Sequence, residues 1–410
     1  MSIIVSKFGG SSIADASRFR RVRKILASRP DRRYIVLSAP GRQNACDEKI
    51  TDLLCRSNQL YSSGADGRAP LLKVKSRFTA IVRELSLDVD PDALLSGLDS
   101  DVLGSADLAA SRGEYLCARI FSDYANIPFA DAAQLILFDG NGRIQRDAIL
   151  HRVRGMANRL GSAIIPGFYG SLPDGTIKTF SRGGSDITGA LLAAALRADI
   201  YENWTDVDGL MSADPAICPE AVCHAAVSYR QMRLLAKAGA QVLHPYCLEP
   251  VCEAGIPTLL KNTFAPERPG TYISDHVRDF VPCVCTLEHL QAVETASLGA
   301  EACAVASGLQ PERYTTSGGR DMLVLQGADT SIGRPVNLLS AFCLPSMLRA
   351  EAIRRIDPVA FLHLDSCSRF LVAPEQTQNA VRILHELVLF PGLRASRNPA
   401  DSCERCRSLP

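Results

Sequence analysis

Long apolar runs are missing from this chain. The longest, Ala190–Leu196, falls far short of the roughly 20 residues that a membrane-spanning helix needs. Residues Met1–Pro30 also lack the apolar block of a signal peptide. The expectation is therefore a cytoplasmic protein with no membrane partner. An excess of charge of one sign is missing too: 45 Lys and Arg stand against 44 Asp and Glu, a formal +1. That balance gives no reason to expect a nucleic-acid partner, so any basic function must be local. Disorder is excluded by a 47% apolar composition over 410 residues, enough for two or three packed domains.

The standard nucleotide motifs are absent as well: there is no GxxxxGK[ST], no GxGxxG, and no HRD and DFG pair. The 14 cysteines are scattered, which argues for reduced thiols rather than a disulfide framework. Cys403 and Cys406 have metal-ligand spacing but no second such pair, and read as free thiols. Cys218, Cys223 and His224 lack a fourth ligand nearby in sequence and read as core or surface residues. Asp206 and Asp208 suggest calcium, but Leu210 and Ile217 stand where an EF-hand loop needs oxygen ligands.

What is present is a sequence of strands that stop at glycine or hydroxyl-rich loops. Ile3–Val5 runs into Lys7-Phe-Gly-Gly-Ser-Ser12, and Phe19, Val22, Ile25 and Leu26 then recur at helical spacing. Tyr34–Ser38 reads as a buried strand, so the first forty residues predict a strand–helix–strand unit and a parallel sheet. Residues 50–125 read as a helical layer. Strands return at Ala163–Ile165, Thr176–Phe180 and Ile200–Trp204, with a helix over Ile187–Leu196. The carboxyl ends of such strands are where open α/β sheets bind ligands. The texture changes to shorter, more irregular runs beyond about residue 275, which places a domain boundary at Thr271–Arg278.

Glycines beside a lysine at a strand end let backbone N–H groups approach an anion, to which the lysine adds a full charge; this suits a polyphosphate. In Phe180-Ser-Arg-Gly-Gly-Ser-Asp186 a strand turns into a helix, with Ser185 or Asp186 available as the cap and the helix N-terminus expected to face Lys7. A surface lysine and an ordinary strand-to-helix turn would be the bland versions of these two features.

KFGGSS, SRGE (Ser111–Glu114), PGF (Pro166–Phe168), SRGGSD, ENWTDVDG, SADP and VLHP (Val242–Pro245) follow one another in the order and approximate spacing seen in aspartate kinases. The chain resembles that family from Met1 to about Ser274. The resemblance implies an α/β amino-acid-kinase fold, a mostly parallel sheet sandwiched between helices, as a catalytic domain over residues 1–275. It also implies transfer of the ATP γ-phosphoryl group, with Mg²⁺ on the phosphates, to the side-chain carboxylate of L-aspartate on the way to lysine, threonine and methionine. Position by position, Lys7 would neutralise charge on the transferred group, and Gly9, Gly10 and Ser11 would cradle phosphate. Asp186 would orient the reacting groups. Thr51, Glu114, Phe168, Arg182 and Ser185 would hold the amino acid, Arg182 taking the α-carboxylate and Glu114 the ammonium. Thr205 and Asp206 would face the nucleotide.

Three positions depart from the family pattern. Ala216 and Gln241 stand where relatives place cations toward the nucleotide, and Met211 replaces a common aromatic. Residues 276–410 resemble the family in fragments: Phe370–Val372 followed by Ala380–Leu387 looks like the last strand and helix of an ACT-type regulatory domain. The expectation there is a smaller α+β ACT-like region through which a homo-oligomer, a dimer, forms. No effector loop is recognisable, so inhibition by lysine or threonine is not implied. Two alternatives stay open: a same-fold kinase for an aspartate analogue, and a catalytically weak amino-acid-binding regulatory homologue.

Overall fold

The computed structural model describes residues 2–181, 183–240, 243, 245–294, 312–326 and 334–389. They fall into two compact units. The first joins the chain up to Gly209 with Leu243–Ser274; the second joins Leu210–Val242 with the chain from Asp275 onward. The split at Ser274 lies inside the stretch where the composition changes. The grouping of Leu210–Val242 with the later residues has no counterpart in the sequence pattern.

In the first unit the strands lie in the order Ala163–Pro166, Arg32–Leu37, Ile4–Phe8, Ile200–Thr205, Thr258–Asn262 and Thr271–Ile273. All neighbours are parallel except the last pair. The first crossover is helix Ala16–Ala27, capped by the Asp15 carboxylate, which accepts from the Arg18 N–H at 2.9 Å. Its Phe19, Val22, Ile25 and Leu26 are buried, as the spacing requires. The helical layer over residues 50–125 is present, and contains Ile50–Ser62, Arg68–Glu84 and Ala106–Ala125. These helices share one core with Phe8, Ile35, Leu37 and Trp204 of the sheet.

Strand register assigns the two faces of the sheet their jobs. Ser6 pairs with Glu202, Lys7 with Asn203 and Phe8 with Trp204, so alternate residues on adjacent parallel strands project to the same side. One face carries a buried polar network. Glu202 is 2% exposed and accepts from Arg32 Nε at 2.8 Å, Arg32 Nη2 at 3.0 Å, Ser6 Oγ at 2.9 Å and Trp204 Nε1 at 2.8 Å. Phe8 stacks on Trp204 at 5.6 Å between ring centres. Removing one partner of a buried ion pair strands the other charge, at about 3–5 kcal/mol. Arg32→Met is therefore expected to lower unfolding free energy by roughly that amount. Urea denaturation checks it, and a change below about 1 kcal/mol would show that water reaches Glu202.

The second unit holds a closed antiparallel barrel in the order Cys283–Glu294, Asp321–Gln326, Glu312–Thr315, Ala360–His363, Cys367–Val372 and Arg334–Phe342. Helices Arg349–Ile356 and Thr377–Val388 cover it, burying Ala352, Ile356, Val381 and Leu384 against Leu339, Phe370 and Val372. The expected Phe370–Val372 strand and Ala380–Leu387 helix both fall inside these elements. Helix Tyr229–Lys237 is tied in by Gln231, whose side chain bonds both the carbonyl (2.7 Å) and the N–H (2.9 Å) of Val281.

Candidate active site

The opposite face of the sheet carries Lys7 and Asn203, and their side chains meet on one carboxylate. Lys7 Nζ lies 2.6 Å from Asp186 Oδ1, and Asn203 Nδ2 donates to the same oxygen at 2.7 Å. Asp186 sits in the first turn of helix Gly184–Leu196, where Tyr201 OH bonds its carbonyl at 3.1 Å. Lys7 is 8% exposed, so it is no surface lysine. An ammonium has three donors, and directing one to Asp186 fixes the position of the charge.

This geometry corrects the expected helix cap. The N-cap is Gly183, in the left-handed region at φ 61°, and it makes no side-chain bond to the helix. Neither Ser185 nor Asp186 caps the helix, because both lie inside it and Asp186 is held by Lys7 and Asn203. The helix N-terminus does reach Lys7, as expected.

The Gly9 N–H extends the parallel ladder by donating to the Trp204 carbonyl at 3.0 Å. In the 3₁₀ helix Gly10–Ile13 that follows, Ser12 N–H donates to the Gly9 carbonyl at 3.0 Å, while the N–H groups of Gly10 and Ser11 lie ahead of the first intrahelical bond. A Cβ on Gly10 would stand 2.9 Å from the Ala39 carbonyl oxygen, so only glycine lets this turn lie against the loop after strand Arg32–Leu37.

On the other side of Ala39 is helix Ala106–Ala125. Gly113 packs so closely that an added Cβ would meet Ala39 Cβ at 2.8 Å and Ile50 Cγ2 at 3.1 Å. This close approach seats Glu114 beside the Ala39 amide, with Thr51 in the first turn of helix Ile50–Ser62. Glu114 is buried, and its Oε2 finds no hydrogen-bond partner among the described residues. Burial pushes its carboxyl up to about 8, against the lowering effect of the Ala39 N–H. Its neighbour Arg112 is structural: it lies 3.5 Å from Asp101 and 4.5 Å from the centre of the Tyr115 ring.

Phe168 holds φ at 78°, an uncommon conformation for an aromatic residue. It is held there by three contacts. Its N–H donates to Thr188 Oγ1 at 3.2 Å, its carbonyl accepts from Phe180 N–H at 2.9 Å, and Gly184 abuts its ring. A Cβ on Gly167 would stand 2.6 Å from Ser185 Cβ, so Phe168 and Ser185 share one wall with the helix start. Arg182 and Gln241 lie outside the described residues.

Thr205 ends its strand, and its hydroxyl donates to exposed Asp206 at 3.1 Å. Asp208 is engaged by Asn262 at 2.7 Å and by Arg268. Met211 and Ala216 belong to the second unit. Sequence reasoning missed Asn203 and Ala39. Asn203 stands inside the ENWTDVDG stretch, but its register beside Lys7 comes from the fold and has no signal in the sequence.

A mostly parallel sheet with a lysine, a glycine turn and a helix N-terminus at its carboxyl edge defines an amino-acid-kinase fold. The amino acid kinase family model matches residues 2–262, and the chain belongs to that family. Within it the chain is similar to aspartokinases. It is 37% identical over 290 residues to aspartokinase 3 of Bacillus subtilis (strain 168), a match taking in 66% of this chain and 63% of that one. It is 30% identical over 316 residues to the chloroplastic aspartokinase 1 of Arabidopsis thaliana, covering 69% of this chain and 53% of the relative. The matches thus span about half to two-thirds of the length of these curated relatives. Among solved structures, Clostridium acetobutylicum aspartate kinase superposes with a TM-score of 0.79 at 30% identity, over 95% of this chain and 100% of that one. Aspartokinase III of E. coli, solved with aspartate and ADP, shares the fold at 23% identity, with a TM-score of 0.76 over 95% of this chain and 100% of that one.

Proposed function

We propose that this chain transfers the γ-phosphoryl group of ATP to the side-chain carboxylate of L-aspartate, giving 4-phospho-L-aspartate and ADP. The observation that carries the reading is Glu114. A buried carboxylate with an unpartnered oxygen, one loop away from the Lys7 glycine turn, asks for a cation, and the ammonium of an amino acid is a cation of the right size. Arg182 takes the α-carboxylate, while Thr51, Phe168 and Ser185 wall the substrate.

In the reaction, a carboxylate oxygen of the substrate attacks the γ-phosphorus. The bond from that phosphorus to the bridging oxygen breaks, and its electron pair leaves with ADP. Such transfer demands positioning and positive charge more than covalent chemistry from the protein. Lys7, anchored by Asp186, which Asn203 in turn orients, faces the charge that grows on the transferred group, and Gly10 and Ser11 contribute N–H donors. Magnesium suits this oxygen-rich edge: exposed Asp206 would be its protein ligand, and the ion would neutralise and orient the phosphates. Residues 1–275 form the catalytic domain in this reading, residues 276–410 an ACT-like regulatory region that pairs two chains, and the enzyme works in the cytoplasm.

Trapping the acyl phosphate with hydroxylamine tests the substrate. L-aspartate is expected to give hydroxamate with ATP and Mg²⁺, and glutamate to react roughly 10–200-fold less efficiently, the usual discrimination for one methylene. A preference for glutamate or for an aspartate analogue would replace the proposed substrate with that compound.

A further inference from the structure

The second unit brings together three side chains that the kinase reading does not use. Among its described residues, Cys218, Glu220 and His385 offer one ligand atom each, all within 4.8 Å of one another. Cys218 and Glu220 sit on the turn that follows Asp214, which is closed by bonds from Cys218 N to Asp214 O (2.8 Å) and from Ala221 N to Cys218 O (2.9 Å). His385 comes from helix Thr377–Val388, far along the chain. Neither Cys223 nor His224, its sequence neighbours, takes part in the group. His224 Nε2 lies 2.8 Å from the Pro282 carbonyl instead.

We propose that Cys218, Glu220 and His385 form a divalent-metal site, best suited to zinc, that clips this turn to the helix, with water as the fourth ligand. The mixed sulfur, nitrogen and carboxylate set matches zinc's ligand preferences. Bonds of about 2.0–2.3 Å in a tetrahedron put neighbouring ligand atoms about 3.3–3.7 Å apart. His385 Nδ1 and Glu220 Oε1 already stand 3.5 Å apart. Glu220, whose side chain is 67% exposed, has room to adjust toward the thiolate.

An outer contact holds the imidazole in place. His385 Nε2 lies 2.9 Å from Ser212 Oγ, which also accepts from the Val222 N–H at 2.9 Å. With a metal bound, Nδ1 would be the ligand atom and Nε2–H would donate to Ser212 Oγ. The turn and the helix are already joined without metal, because the side chain of Arg382, one turn before His385, donates from Nε to the Ile217 carbonyl at 3.1 Å. A metal therefore meets a largely formed site. The charged groups around the thiol are Glu220 and Asp214, which with burial raise its proton affinity, and Arg382, which lowers it. Metal and protons compete for these ligands, so affinity falls with falling pH.

Cobalt titration of the full chain reads the site directly through the sulfur-to-cobalt charge-transfer band. One thiolate-bound Co²⁺ per chain is expected, displaced by Zn²⁺. Cys218→Ser should abolish the band, and Glu220→Gln should weaken Co²⁺ by about tenfold or more. Cys223→Ser, at an exposed thiol nearby, should leave both unchanged. Glu220 is exposed, so its variant folds and keeps the test decisive even if the Cys218 variant does not. Absence of the band in wild type, its survival in Cys218→Ser, or an unchanged affinity in Glu220→Gln would overturn the site.

Discussion

Lys7→Ala should lower turnover about 10²- to 10³-fold while the Michaelis constant for aspartate moves little. In the proposed reaction the lost ammonium would stabilise charge that develops on the transferred phosphoryl group, and removing one preorganised donor of that kind costs about this much. Stability should fall too, since Asp186 is left with Asn203 as its remaining side-chain donor. A loss of about 1–3 kcal/mol is expected, less than for a fully stranded charge. Steady-state kinetics and urea denaturation separate the two effects. A variant that is destabilised yet turns over normally would make the Lys7–Asp186 pair purely structural.

Glu114→Gln is expected to act in opposite directions on binding and stability. In the proposed complex this truncates the charge that meets the substrate ammonium, and should raise the aspartate constant at pH 8 by roughly 30- to 5,000-fold, the range for one partner of a buried charge pair. The free protein should become more stable. Its Glu114 is raised to about 8 from an ordinary 4.5, so the folded chain keeps a proton that the unfolded chain gives up. That contribution is complete below about pH 4.5 and is lost as pH rises toward 8, at up to about 1.4 kcal/mol per unit. The stability gap between Glu114→Gln and wild type should therefore widen by a few kcal/mol across that window. Aspartate binding near neutral pH should also release about one proton, which calorimetry in buffers of different ionisation enthalpy detects. A gap that stays flat with pH would mean that Glu114 is ionised and solvated in the free chain.

Much of the first unit was legible because its physics is local. The Phe19-Val22-Ile25-Leu26 spacing and the glycines after each strand specify helices and turns without knowledge of distant partners. What could not be read are facts of register and of long-range meeting. Nothing local to Asn203 says that it stands beside Lys7, nor that the Gly9 N–H donates to the Trp204 carbonyl. The cap was misjudged for the same reason, since Asp186 is an excellent N-cap residue until a lysine from another strand competes for it. Cys218 and His385 are the extreme case: the loop and the helix meet only through the fold of the second unit.

The most direct test of the central claim is ³¹P NMR of the full chain incubated with ATP, Mg²⁺ and L-aspartate. ADP and an acyl phosphate should appear together in equal amounts, with the new phosphorus on the side-chain carboxylate and nearly no turnover in Lys7→Ala. ATP left intact, ADP released with free phosphate alone, or phosphate carried on the α-carboxylate would contradict it.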